Sequence, residues 1–147
     1  TRQIRRDFTF DATATLVSTP LAEVLKRRRG VCQDFAHLQI AALRTLGLAA
    51  RYMSGYIQTL DKEGKPNLLG GDASHAWVSV WCPRAGWVEF DPTNDLMVSQ
   101  QHVLLSWGRD YSDVSPTRGI ILGGGAHTVD VEVALRAVKG EEQAARA

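Results

Sequence analysis

GVCQDFAHLQIAALRTLG, Gly30 to Gly47, reads as one helix with a cysteine in its first turn. Phe35, Leu38, Ala42 and Leu46 recur at helical spacing, Gly30 interrupts the chain before the helix and Gly47 stops it after about Leu46. A sulfur at that position faces unpaired backbone N–H groups and the positive end of the helix dipole, both of which favour a thiolate. The same amides could hydrogen-bond the oxyanion that forms when sulfur attacks a carbonyl. A free cysteine is otherwise commonly a small buried hydrophobe, so Cys32 taken alone has two readings.

Upstream, Thr19 and Pro20 read as N-cap and first residue of a short helix that carries Leu21, Val24 and Leu25 and ends in Arg27, Arg28 and Arg29. Basic residues at a helix C-terminus are favourable without any further role. Downstream, Ala49 to Ile57 suits a strand, 61–72 a Gly- and Pro-containing surface loop, and Ser74 to Trp81 with Trp87 to Asp91 a hairpin. In SHAWVSV, Ala76 and Val78 alternate with His75, Trp77 and Ser79, so both faces of that strand are expected to be buried. A histidine there can be a satisfied core residue, and Asp91 before Pro92 can be a turn former. Trp77 can wall a substrate groove, shield an ion pair or pack the core.

The hairpin ties those residues together. A connection with an odd number of residues puts His75 and Asp91 on one face, and a five-residue loop from Cys82 to Gly86 sets Trp77 opposite Asp91 and leaves His75 as the diagonal neighbour of the carboxylate, within hydrogen-bond reach. An even connection puts them on opposite faces. The odd one, or a bulge of equal effect, is expected. His37, five positions beyond Cys32, is turned about 140° away on the helix and is expected to pack or face solvent.

Gln101 to Ser106 is short and open to either helix or strand. The glycines at 123–125 mark a turn, and His127 to Leu135 alternates cleanly as a strand with one wet face. Residues 1–138 are expected to form one catalytic domain and 139–147 a polar tail. The chain starts at Thr1 rather than Met, which fits either a processed product or a piece of a longer protein, the latter with room for a further domain on the amino-terminal side.

Composition removes several function classes. Seventeen Lys and Arg against sixteen Asp and Glu create no field of one sign, so neither a nucleic acid nor a membrane surface is an expected partner. No apolar run reaches the roughly 18 residues of a membrane span, and a soluble, cytoplasmic protein is expected. Two cysteines without CxxC spacing and four histidines without HxxxH or HExxH spacing predict no metal, and no cofactor is expected. What remains is thiol chemistry, with a histidine and a carboxylate supplied from elsewhere in the chain.

GVCQDFAHLQIAALRTLGLAARYMSGY, SHAWVSVW, GWVEFDPTN and GRDYSDVSPTRG, in that order, resemble the bacterial transglutaminase-like family, which is related to animal transglutaminases and more distantly to papain. The resemblance runs from about residue 7 to the end of the terminal strand. It implies an α+β papain-like core, with the nucleophile's helix packed against an antiparallel sheet. It also implies Cys32 as nucleophile, His75 as general base and acid, and Asp91 as the group that holds the imidazole. The expected reaction is acyl transfer on a peptide, protein or amide substrate through a thioester, with hydrolysis ahead of transfer to an amine. A peptide-binding module that retains the three residues is the competing reading. The family's upstream oxyanion residues have no counterpart, since the first tryptophan is Trp77 and the first glutamine before Cys32 is the distant Gln3. Acidic calcium loops are lacking too, so calcium dependence does not carry over. Arg109, Asp110 and Tyr111 have no chemical account beyond the match.

Overall fold

Eleven elements follow one another in the computed structural model, which describes residues 1–59, 69, 74–115, 119, 120, 122–125, 128, 133 and 135. They are α1 (Arg2–Asp7), β1 (Thr9–Phe10), α2 (Leu21–Arg27), β2 (Arg29–Gly30), α3 (Cys32–Thr45), β3 (Ala50–Ile57), β4 (His75–Cys82), β5 (Gly86–Asp91), β6 (Leu96–Met97), β7 (His102–Gly108) and α4 (Tyr111–Val114). The expected surface loop at 61–72, the strand from His127 to Leu135 and the polar tail fall outside the described residues, apart from isolated positions.

A five-stranded antiparallel sheet in the order β6-β5-β4-β3-β7 forms one layer, and α3 lies across β4 and β3 as the other. The fold is therefore α+β. The core between the layers is Ala36 and Ile40 from α3, Ala50 and Tyr52 from β3, Ala76 and Val78 from β4, and Val114 from α4. A second cluster on the far side of α3 joins Ile4, Phe8 and Val24 to Phe35, with the Phe8 and Phe35 rings edge to face at 6.0 Å. The helix face read from spacing is thus corrected. Phe35 and Leu38 belong to this second cluster, whereas Ala42 and Leu46 are exposed, and the face against the sheet is Ala36, Ile40 and Leu43. A helix packed on two sides carries two overlapping stripes, and spacing alone merges them.

Two short strands were invisible to periodicity. β1 and β2 pair in parallel, Thr9 N–H bonds to Arg28 O at 2.9 Å and Asp11 N–H to Gly30 O at 3.0 Å, which ties the amino-terminal segment to the residues just before Cys32. The basic run is spent on structure: Arg27 pairs with Glu23, Arg28 lies over the Phe8 ring and Arg29 reaches Asp11.

The β4–β5 hairpin has the odd connection, in the expected register but with three unpaired residues in place of the five from Cys82 to Gly86. Cys82 pairs with Gly86 across the three residues Pro83, Arg84 and Ala85, and Val78 pairs with Phe90. One further step of that register brings Trp77 alongside Asp91, so His75 and Asp91 share a face. On the other side, His75 pairs with Gly55 of β3, next to the irregularity at Ser54 and Gly55 where β7 joins. A Cβ on residue 55 would overlap Val103 O and stand 2.7 Å from the Trp77 ring. Gly55→Ala is expected to destabilise the protein by about 1–3 kcal/mol, read as a lower urea midpoint, with Gly124→Ala, where an added Cβ meets nothing within 4 Å, as the reference for loss of an exposed glycine.

Candidate active site

Cys32 opens α3, and the turn beneath it is held by Asp34. That buried carboxylate accepts from Val31 N–H at 2.8 Å and from the Thr15 hydroxyl at 2.6 Å. It forms half of a capping box, because Val31 has no side-chain acceptor to return a bond to the helix. Gly30 makes the turn possible, since a Cβ there would stand 2.6 Å from Asp34 Oδ2. Intrahelical bonding starts with Phe35 N–H to Val31 O, which leaves the Cys32 and Gln33 amides without a carbonyl inside the helix. The thiol is half-buried, and its S–H makes a long 4.0 Å contact with the carbonyl of Ser74, the residue before His75.

His75 is buried at the start of β4, and its Nε2 lies 2.8 Å from Asp91 Oδ2. An ionised carboxylate can only accept, so Nε2 carries the proton and Nδ1 is the bare nitrogen of the neutral ring. Nδ1 is buried and makes no hydrogen bond. The Cys32 thiol, a further ionisable neighbour of the ring, shares a cleft wall with it. Burial alone would lower the pKa of His75. The hydrogen bond and charge of Asp91, with the adjacent Cys32, outweigh burial and raise it from 6.5 to about 9.

Asp91 is fully buried at the end of β5 and both of its oxygens are in use. Oδ1 accepts from Thr93 N–H at 2.9 Å and Asn94 N–H at 3.2 Å, which builds the Asp-Pro-Thr-Asn turn. Oδ2 accepts from His75, from the Asn94 amide at 2.7 Å and from His102 Nε2 at 3.2 Å. Asp91 thus bonds its own turn through Oδ1 and the His75 ring through Oδ2. Burial would push its pKa up, but the N–H groups of His102 and His75, the charge of His75 and the Asn94 amide hold it well below the usual carboxylate range.

The cleft over the thiol measures about 290 Å³, and its wall includes Cys32, His75, Gln33, Tyr52, Ser54 and Tyr111. Tyr52 is buried, and its hydroxyl is held far above its ordinary pKa by desolvation, with the Cys32 charge adding to this. Trp77 takes no part in the wall. It is fully buried, donates its Nε1–H to Glu89 at 2.7 Å and stacks on the His75 ring at 6.1 Å, so its expected place as a substrate-binding residue is corrected to one behind the imidazole. The strand's far face is closed by aromatic neighbours that one strand's alternation cannot reveal.

His37 lies off this centre. Its Nε2 accepts from Tyr111 N–H at 3.2 Å, its ring sits 4.9 Å from Tyr52, and desolvation lowers its pKa. The GRDYSDV segment receives a structural account. Asp110 caps α4 through Ser112 N–H, Arg109 forms a two-pronged pair with Asp113, and Tyr111 packs on the core at the cleft's edge. His102, the residue missed from sequence, lay in the segment of unsettled type. Its only signal was a histidine in a short apolar run.

His75, Asp91 and His102 carry donor types that can bind a metal, with atoms within 4.8 Å of one another. Both imidazole nitrogens contact the same carboxylate oxygen directly, at 2.8 and 3.2 Å, which is the geometry of two N–H donors sharing one acceptor.

Known proteins share the sequence pattern and the fold. Residues 1–92 match the transglutaminase-like superfamily model. The chain belongs to that superfamily. An uncharacterized protein of Mycobacterium tuberculosis is 48% identical over 144 residues, covering 95% of this chain and 46% of the relative, so the chain spans less than half the length of that relative. A solved structure from Cytophaga hutchinsonii, described as a proposed cysteine protease, superposes with a TM-score of 0.62 at 31% identity, covering 77% of this chain and 35% of that one. A protein-glutamine gamma-glutamyltransferase of Pseudomonas aeruginosa is 37% identical over 67 residues, 45% of this chain and 10% of that protein. Among the described residues no helix is long and apolar enough to cross a membrane.

The electrostatics have a signed consequence. His75 has a folded-state pKa of about 9 against 6.5, so its contribution to stability is complete below about pH 6.5 and disappears as pH rises through about 9. Urea titrations across that window are expected to show wild type losing stability relative to His75→Gln as pH increases. A constant difference between the two would contradict the assignment.

Proposed function

We propose that the chain carries out thiol-dependent acyl transfer on peptide or amide substrates, with Cys32 as nucleophile, His75 as general base and acid, and Asp91 as the group that orients the imidazole. The observation that carries this reading is the asymmetry of His75. One nitrogen is committed to a buried carboxylate, and the other is left without a hydrogen bond in a ring that shares its cleft with a thiol.

The steps follow from those roles. His75 Nδ1 takes the thiol proton, and Sγ attacks the substrate carbonyl carbon to form a tetrahedral oxyanion. The free amides of Cys32 and Gln33 at the start of α3 are suited to hydrogen-bond that oxygen. As the carbon–nitrogen bond breaks, His75 returns its proton to the leaving amine, and a thioester remains on Cys32. An acceptor then loses a proton to His75 and attacks the thioester, which releases the acyl group and restores the thiol. Asp91 stays ionised throughout and fixes which nitrogen works.

With water as acceptor the product is an acid and the chain is a cysteine amidase or peptidase. This is the preferred reading, supported by the description of the Cytophaga hutchinsonii structure. An amine acceptor would make it a transglutaminase, a reading favoured by the name of the Pseudomonas aeruginosa relative.

A peptide-amide library incubated with and without a primary amine, followed by mass spectrometry and ammonia release, separates the two. Hydrolysis is expected to dominate, to vanish in Cys32→Ala and to fall by roughly 10²–10⁴-fold in His75→Ala. Amine incorporation in place of hydrolysis would move the assignment to a transferase. Turnover that survives in Cys32→Ala would remove the nucleophile.

A further inference from the structure

Asp91 Oδ2 receives two imidazoles, and the triad reading uses only one. His102, the first residue of β7, places Nε2 3.2 Å from the oxygen that His75 Nε2 approaches at 2.8 Å. Its Nδ1 accepts Ser99 N–H at 3.4 Å, which puts the ring proton on Nε2 and makes Nε2 a donor to the carboxylate. The side chain is fully buried, its ring lies edge to face on Trp77 at 5.3 Å, and it stands 5.9 Å from the His75 ring. Trp77 therefore packs against both imidazoles, and the glycine at 55 leaves room for the Trp77 ring. The titratable groups facing this cluster are Cys32 from α3, His75 from β4, and Asp91 and, through Trp77 Nε1, Glu89 from β5.

The reasoning rests on the Cys32, His75 and Asp91 reading. During turnover His75 alternates between imidazolium and imidazole, and each time it gives its proton away Asp91 loses the positive charge that faces it. A buried carboxylate left with fewer donors would be poorly satisfied. A second N–H on the same oxygen remains in place through the cycle. It also draws on the oxygen's charge, which weakens the hold of the carboxylate on the His75 proton.

We propose that His102 is a positioning residue of the reaction: its Nε2–H pins Asp91 Oδ2 and shares its charge, so that His75 is held in place yet releases its proton more readily than it would beside a carboxylate bonded to it alone. A simple core histidine would contribute to stability and leave the proton affinity of His75 untouched. The two roles are therefore separable by experiment.

The pH dependence of Cys32 alkylation by iodoacetamide, followed by mass spectrometry on the whole chain, needs no substrate and reports His75 as the upper inflection of the rate profile. Wild type, His102→Phe, His102→Gln and His75→Ala are compared, each checked for folding by circular dichroism and urea unfolding. His102→Phe fills the space without a donor, and His102→Gln restores an N–H near the position of Nε2. The expected result is an upper inflection raised by about half a pH unit or more in His102→Phe, a threefold or greater tightening of the His75 proton, and returned toward wild type in His102→Gln. Folded His102→Phe with an unmoved inflection would overturn the proposal, as would equal displacement in His102→Gln. Should His102→Phe fail to fold, an inflection displaced in His102→Gln as well as a lost fold would assign the residue a structural role, whereas a wild-type inflection in folded His102→Gln would support the donor. A profile that His75→Ala leaves unchanged would instead overturn the underlying pairing of Cys32 with His75, an outcome distinct from failure at His102.

Discussion

A carboxylate with no exposure to water can stay ionised only where the protein supplies donors, and Asp91 is given five of them. The rest of the site depends on that constraint. Two donors are the backbone amides of its own turn, one is the Asn94 side chain, and two are imidazoles from different strands. The charge so maintained sets the tautomer of His75 and raises its pKa against the opposing effect of burial. The nitrogen of His75 left bare is the one that does not face this charge, Nδ1.

Three pieces of backbone bring this about. The three-residue connection of the β4–β5 hairpin puts the imidazole and the carboxylate on one face. The Asp34 tie to Val31 and Thr15 fixes the start of α3, so the thiol and first-turn amides sit over the end of β4. The glycine at 55 lets β3, β7 and the Trp77 ring approach closely behind His75. Together they bring Cys32 and His75, remote in sequence, to the wall of one cleft, with Asp91 buried behind the ring.

Much of this was legible in the residues. The cores of α2, α3, β3, β4 and β5 were read to within a residue or two, because long periodic segments with glycine stops carry their own boundaries, whereas α1, β6 and α4 were not read and the segment of β7 was left open between helix and strand. Hairpin parity was legible because side chains alternate with a period of two and the connection is short. The resemblance pointed to Cys32, His75 and Asp91 as candidates. What escaped was tertiary in origin. β1 and β2 are two residues each and exist only through pairing with each other, so no pattern announces them. The packed face of α3 was misread because two clusters divide the helix between them. Trp77 was offered to the groove because strand alternation says which face a residue lies on and not what covers that face. His102 could not be placed because its contact with Asp91 depends on the path of the chain between β5 and β7, which is irregular apart from the two residues of β6.

The central claim is that the thiol of Cys32 and the imidazole of His75 behave as one coupled acid–base pair. NMR titration of the His75 ring in wild type and in Cys32→Ala tests it most directly. Coupling predicts that wild-type His75 keeps its second proton up to about pH 9 and that its titration moves to lower pH once the sulfur is gone. Identical titrations in the two proteins would show that the imidazole does not sense the thiol and would contradict the account.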